Sequence, residues 1–333
     1  NMPGKKPYVP PEDIVSLFPE VSGNAINGLD EPDARQATPF FWHPPQLQSH
    51  GELQGKVLEY LLSQEPVAEE FGHVVTGGPE RGPEPVPQAD ERVQRSPDEW
   101  SAMVKAFALA NEADVVGIAR MRDDYLFEGF QDKSRFVIVV GVAHEYERMK
   151  TAPASPGNTD PAAEVGRQYN RGARVVSRLR NFILEQGHPA TAYPGPMADA
   201  INMIPAAIDC GLGELGKHGS LINRQLGASF RLAALTTDMP LVADSPDEFG
   251  VDEMCMRCQA CERVCPPDAI YPEKQIVRGK EKWYVDFDKC IPFFAETSGC
   301  AICIAVCPWS RPGIGLNLAE KLERRAQRLK SAD

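Results

Sequence analysis

Cys255-x-x-Cys258-x-x-Cys261-x-x-x-Cys265-Pro266, then Cys290, then Cys300-x-x-Cys303-x-x-x-Cys307-Pro308 hold eight of the nine cysteines of this 333-residue chain. Thiolates at such short intervals converge on one metal centre, and a run that closes on Cys-Pro has the bacterial iron–sulfur pattern. Disulfides would need an oxidising compartment, and cysteines three apart rarely have the geometry to bridge. Zinc ribbons use paired Cys-x-x-Cys knuckles rather than three successive intervals and a fourth cysteine. Eight thiolates suffice for two [4Fe-4S] clusters, and the fourth cysteine of each run usually serves the other cluster. The expected sets are therefore Cys255, Cys258, Cys261 and Cys307 for one cluster, and Cys290, Cys300, Cys303 and Cys265 for the second. Cys210 is left over and reads as a small buried residue at a helix end.

Outward from this stretch, residues 248–315 make a ferredoxin-like unit, which leaves well over half the chain for another purpose. The expected division is a Pro/Gly-rich arm over 1–95, an α/β core over 96–247, the ferredoxin-like unit, and a terminal helix over 316–333. Lys and Arg number 35 and Asp and Glu 47, a net charge of −12. A nucleic-acid binder would show a basic field, so nucleic acid is not an expected partner. No apolar run approaches the length that spans a membrane. Asn1 to Lys6 carry neither the apolar core of a signal peptide nor a twin arginine, so either a leader has been removed or the chain is cytoplasmic, and cytoplasmic is the expected location.

Phe18, Phe40, Phe41 and Trp42 mark the arm as one that packs on the rest, with a short amphipathic helix between Gly51 and Glu65. Val75 to Arg95 holds too many Pro and Gly for a regular element. Ser96-Pro97-Asp98-Glu99 starts a helix running to about Asn111. Strands are expected over 114–119, 136–142 and 231–238, the second buried on both faces. Asp160 to Gln186 reads as one long amphipathic helix with Tyr169, Ala173, Val176, Leu179 and Ile183 near one face, ended by Gly187. Ala198 to Cys210 and Gly313 to Lys330 complete the expected helices.

Gly211-Leu212-Gly213-Glu214-Leu215-Gly216-Lys217-His218-Gly219 lets backbone approach a flat or anionic group, but by itself reads equally well as a tight connection. It lacks the spacing of a dinucleotide fingerprint or a phosphate loop. Its order is more telling: this loop, then Arg231 to Leu241, then the first cysteine run, then the second with Trp309 and Ser310 behind it. That order, from about Ser96 to Gly313, resembles the cobalamin-dependent reductive dehalogenases and is similar to their relatives, the epoxyqueuosine reductases. The latter carry a Val-Asp-Ser-Ala-Pro stretch ahead of the loop; here Met197-Ala198-Asp199-Ala200-Ile201-Asn202 departs from it. Lys282 to Asp286, Val251 to Met254 and Arg231 look more like the dehalogenases.

The resemblance implies a nitroreductase-like α/β (α+β) core that buries a corrinoid, with a ferredoxin-like domain appended. It implies replacement of the halogen of an organohalide by hydrogen, with electrons from an external low-potential donor of ferredoxin or flavodoxin type. It further implies base-off cobalamin with no protein histidine on cobalt. None of the six histidines lies in the Asp-x-His-x-x-Gly pattern of histidine-ligated corrinoid proteins. The implied proton donor is Tyr169, with Arg231 beside it and Tyr193 as a second candidate. The implied cofactor contacts are Tyr193, Asn202, Met203, Gly216, Lys217, His218, Gly219, Ser220, Leu221 and Trp309. Structural roles stand open beside these: a core tyrosine for Tyr169, an ion pair for Arg231, a hydrogen-bonded structural histidine for His218, and core filler for Trp309. Two other functions stay open, an epoxyqueuosine reductase acting on tRNA and an electron-transfer protein without a substrate of its own.

Overall fold

A computed structural model describes residues 7–41, 43, 52–196 and 200–330. Its centre is a four-stranded antiparallel sheet ordered β1-β2-β6-β3, with β1 Val115–Arg120, β2 Phe136–Ala143, β3 Ala190–Tyr193 and β6 Phe230–Thr237. The uninterrupted apolar run of β2 follows from its place inside this sheet. Side chains alternate between faces. Ile138, Val140 and Val142 meet Val176, Leu179 and Ile183 of the long helix Asp160–Glu185 together with Trp100 and Val104 of the helix Pro97–Ala110. Val137 and Val139 meet Ala206, Ala207 and Cys210 of the opposite layer. A Cβ on Gly117 of β1 would lie 2.6 Å from Cys210 Sγ, so that glycine admits the cysteine to the core.

Local sequence explains the helix ends. Ser96 Oγ accepts the Glu99 amide while the Glu99 carboxylate accepts the Ser96 amide, a closed capping box with Pro97 in the first turn. Gly187, at φ 81, follows the long helix as expected. The helix expected from Ala198 starts only at Met203 and runs to Asp209. Pro205 would clash with a helical carbonyl four residues earlier, and Ile201 is engaged instead in a bridge to Leu126. Residues 197–199, including Asp199, lie outside the described residues.

Three short pairings escaped the periodicity. β3 is a four-residue edge strand on β6. β4 Glu214–Leu215 pairs with β5 Leu221–Ile222, closing the glycine-rich loop into a ladder. β7 Gln275–Val277 pairs with β8 Lys280–Lys282 through Arg278 and Gly279, at φ 49 and 71. Two positive-φ residues suit the right-handed twist of a hairpin, but the usual Asn-Gly or Asp-Gly signal is missing.

The arm packs on the cysteine-rich part. Asn24 donates to Asp286 Oδ1 (2.8 Å) and accepts from the Tyr284 hydroxyl (2.9 Å) and the Phe287 amide (2.8 Å). The Asp30 amide donates to the Ile276 carbonyl at 2.8 Å. The helix Leu53–Leu61 lies against the helix Phe287–Glu296, which carries Cys290.

Candidate functional site

The first cysteine run enters on the helix Val251–Arg257, whose start is tied to the glycine-rich loop. Glu214 Oε1 accepts the amides of Phe249, Gly250 and Val251 at 2.7, 3.0 and 3.2 Å. A carboxylate on three free amides at a helix start is favoured by hydrogen bonding and by the helix dipole together. Cys255 sits in that helix, Cys258 ends it, Cys261 lies in the next helix Ala260–Val264, and Cys265 ends that one ahead of Pro266. Cys290 comes from the helix Phe287–Glu296. Ser298, Gly299, Cys300 and Ala301 all take positive φ (51, 108, 40 and 64), a strained path of the kind found at functional sites.

The eight cysteines gather into two sets. Cys307, from the second run, shares a small cavity with Cys255, Cys258 and Cys261, and these thiols act on it electrostatically. Cys265, from the first run, acts on Cys290, Cys300 and Cys303 in the same way. The fourth cysteine of each run therefore lies with the other run. Burial pushes the thiols up, to about 11 for Cys255 and Cys300 and about 12 for Cys261, Cys290 and Cys307. Such thiols become thiolates only with a bound cation to hold them. No group of three or more His, Cys, Asp or Glu among the described residues is closed enough for a single metal ion; a cluster of several irons asks its sulfurs to stand wider apart than one ion does. The Lys217 amide already donates to Cys255 Sγ at 3.5 Å.

The glycine-rich loop lies between the first set and a cavity of about 1330 Å³. Gly213, at φ 147, brings its backbone so close to β5 that a Cβ would stand 2.1 Å from the Ile222 carbonyl oxygen. His218 lines both the large cavity and the small one around the first cysteine set. Its Nδ1 accepts the Ser220 amide at 3.2 Å, so the ring hydrogen sits on Nε2, which has no partner. Burial alone lowers its pKa to about 4, so the ring is neutral. Lys217 turns the other way: fully buried, its Nζ meets Glu262 Oε2 at 3.3 Å and lies 5.0 Å over the Trp283 ring.

Arg231, on β6, lines the large cavity. Its Cζ lies 5.0 Å over the ring of Tyr169 from the long helix. Its Nε is buried without a partner, and no ion pair reaches its guanidinium among the described residues. Tyr169 is half-buried, edge-on to Phe71, and its hydroxyl makes no hydrogen bond among the described residues. It does not itself line the cavity. Behind the pair stands His144, fully buried, with Nδ1 3.1 Å from Ser229 Oγ and its pKa held well down by desolvation first and Arg231 second.

The remaining expected contacts divide. Asn202, Gly219 and Ser220 line the large cavity. Trp309 lines the small one, edge-on to Phe249. Tyr193 lies off the cavity because its hydroxyl is taken by Asp132 Oδ2 at 2.7 Å. Met203 and Leu221 pack into the core below the sheet, and Gly216 leaves room for His218, whose Cε1 would be 2.8 Å from an added Cβ. Periodicity overlooked Tyr125, whose hydroxyl donates to Asp209 in the wall of the same cavity. Both look like ordinary core and cap residues in the sequence.

Residues 254–310 match the family described as a 4Fe-4S dicluster domain. The tetrachloroethene reductive dehalogenase of Desulfitobacterium hafniense is 33% identical over 213 residues, 60% of this chain and 37% of the relative. The epoxyqueuosine reductase of Salmonella typhimurium is 30% identical over 176 residues, 46% and 42% of the two chains. A solved reductive dehalogenase, titled as suggesting a mechanism for B12-dependent dehalogenation, superposes with a TM-score of 0.74 at 23% identity, covering 94% of this chain and 48% of that one. The resemblance to the reductive dehalogenases thus holds in sequence and fold, and this chain spans less than half the length of the proteins that carry it. No helix among the described residues is long and apolar enough to cross a membrane.

Proposed function

We propose that the chain is the catalytic part of a reductive dehalogenase, which replaces the halogen of an organohalide by hydrogen using base-off cobalamin and two [4Fe-4S] clusters. The observation that carries this is one cavity, larger than the roughly 300–1000 Å³ of drug-sized sites, that reaches from Arg231 to the second cysteine set and meets the first at His218. The orphaned Nε of Arg231 and Nε2 of His218 fit a large group with polar edges. A corrinoid bound there would supply the strongly reducing metal on which such a reaction depends.

The net change is R–X plus two electrons plus one proton, giving R–H and halide. The eight cysteines would hold the two clusters, which would supply electrons taken from an external low-potential donor of ferredoxin or flavodoxin type. Tyr169 gives the proton from its hydroxyl, which makes no hydrogen bond among the described residues; the tyrosine lies off the cavity wall, against Arg231, which lines it. Arg231, above its ring, stabilises the phenolate left behind and the departing anion. Asn202, Gly219 and Ser220, in the cavity wall, would orient the cofactor's edge. His218 carries its ring hydrogen on the unpartnered Nε2, which would be available to an acceptor on a bound group and could not ligate cobalt in that tautomer; this supports the base-off reading.

Anaerobic reconstitution with iron, sulfide and cobalamin, followed by a halide-release screen over aryl, alkyl and alkenyl halides, tests the proposal. Tyr169→Phe should keep cobalt, iron and sulfide contents and lower turnover roughly 10²–10⁴-fold, as loss of a general acid does. Unchanged turnover removes Tyr169 from the mechanism. A chain that takes up clusters but no corrinoid is an electron-transfer protein instead.

A further inference from the structure

The hairpin β7–β8 puts four cations, Lys274, Arg278, Lys280 and Lys282, on the wall of the large cavity. Two are neutralised at short range: Lys274 by Asp252 at 2.7 Å and Lys280 by Asp124 at 3.4 Å. Two are not. Arg278 donates to the Asn27 carbonyl and feels the Glu31 carboxylate only at longer range, that group being paired with Arg35 at 2.7 Å. The Lys282 side chain has neither ion pair nor hydrogen bond among the described residues. Both are half-buried, and Arg278 and Lys280 act on Lys282 as like charges. Burial and these neighbours lower the Lys282 amine to about 8. A chain with 47 acidic residues against 35 basic ones has no shortage of counter-charges. Leaving Lys282 without one in the wall of a cavity, beside an Arg278 that shares Glu31 with Arg35, costs stability unless a ligand brings the negative charge.

We infer that Lys282 and Arg278 form an anion site that holds a phosphodiester or carboxylate group of a molecule bound in the large cavity. The inference rests on the function proposed above, which offers two sources for that group: the phosphodiester of the cofactor's nucleotide tail, or a carboxylate on the organohalide. Arg278 contributes a planar set of donors suited to either oxyanion, and Lys282 a point charge. Lys282 lies in the Lys282 to Asp286 stretch, which the catalytic assignment leaves unused.

The test uses the full chain with its clusters reconstituted, as wild type, Lys282→Met, Lys282→Arg, and Lys274→Met as a control on an already paired cation. Each is titrated with cobalamin and with cobinamide, which lacks the nucleotide tail and its phosphodiester. If the tail supplies the anion, Lys282→Met weakens cobalamin binding about tenfold or more and leaves cobinamide unchanged. If the substrate supplies it, both corrinoids bind as in wild type, while KM for a brominated benzoate rises by a similar factor and KM for the corresponding bromobenzene does not. In either case Lys282→Arg retains binding, Lys274→Met behaves as wild type, and ligand-free Lys282→Met melts no lower than wild type. Equal loss for cobalamin and cobinamide, or no change in any of these measurements, overturns the anion site. Should the wild-type chain bind no corrinoid, the proposed function fails on its own; calorimetric titration with pyrophosphate then decides the site, binding lost in Lys282→Met supporting it and equal binding overturning it.

Discussion

Replacing Arg231 by Met should separate stability from function. In the ligand-free protein the guanidinium lies 5.0 Å over the Tyr169 ring, a contact that contributes about 0.5–2 kcal/mol. Against this, its Nε is buried without an acceptor, which costs about 1–3 kcal/mol. The two terms nearly cancel, and methionine keeps most of the apolar stem, so unfolding free energy should change by less than about 1 kcal/mol. Turnover should behave otherwise. Removing a cation that faces charge developing in the transition state costs roughly 10²–10³-fold, about 2.7–4 kcal/mol. The assay pairs denaturant unfolding of the ligand-free chain with halide release by the reconstituted enzyme, alongside Arg231→Lys, which keeps the charge and should recover part of the rate. A Met variant destabilised by more than about 2 kcal/mol, with turnover falling only as the folded fraction falls, would refute the reasoning and return Arg231 to a purely structural role.

Cys307→Ala and Cys265→Ala should each damage the cluster of the run they do not belong to, because Cys307 lies with Cys255, Cys258 and Cys261 while Cys265 lies with Cys290, Cys300 and Cys303. Low-temperature electron paramagnetic resonance of each variant, compared with Cys255→Ala and Cys290→Ala, reads this directly; a Cys307→Ala spectrum matching Cys290→Ala would reverse the assignment. Gly213→Ala adds a Cβ 2.1 Å from the Ile222 carbonyl oxygen at φ 147, so the β4–β5 ladder must open, and a loss of several kcal/mol, on the order of the larger single-residue effects, is expected in urea unfolding. A midpoint unchanged within error would show that the loop relaxes freely.

Much of this site was legible because its signals are local. The cysteine intervals, the capping box at Ser96 and the 3.6-residue stripe through Tyr169, Ala173 and Val176 are each set by covalent spacing, which folding cannot alter. The β2 run Phe136 to Val142 announced a strand covered on both sides, and the sheet supplied both covers. Other features have no local signature. β3 is too short for its alternation to stand out, the β7–β8 turn uses Arg278 where an Asn or Asp would have marked it, and Pro205 moved a helix start that apolar pattern placed earlier. Tyr193 stood as a second candidate behind Tyr169 until Asp132, 61 residues away in sequence, took its hydroxyl.

By itself, then, the sequence determined that eight thiols come in two closely spaced runs, that a helix and a buried strand precede them, and that a glycine-rich loop stands between. The grouping of those thiols was expected from their spacing; tertiary structure alone decided that Arg231 lies over Tyr169 rather than beside an acid, and that the Lys282 side chain is left without an ion pair among the described residues while Lys274 and Lys280 are paired. The physical reason is that ligand spacing and helix periodicity are properties of neighbours along the chain. Charge pairing and desolvation depend on which distant segments the packed core brings within a few ångströms of each other.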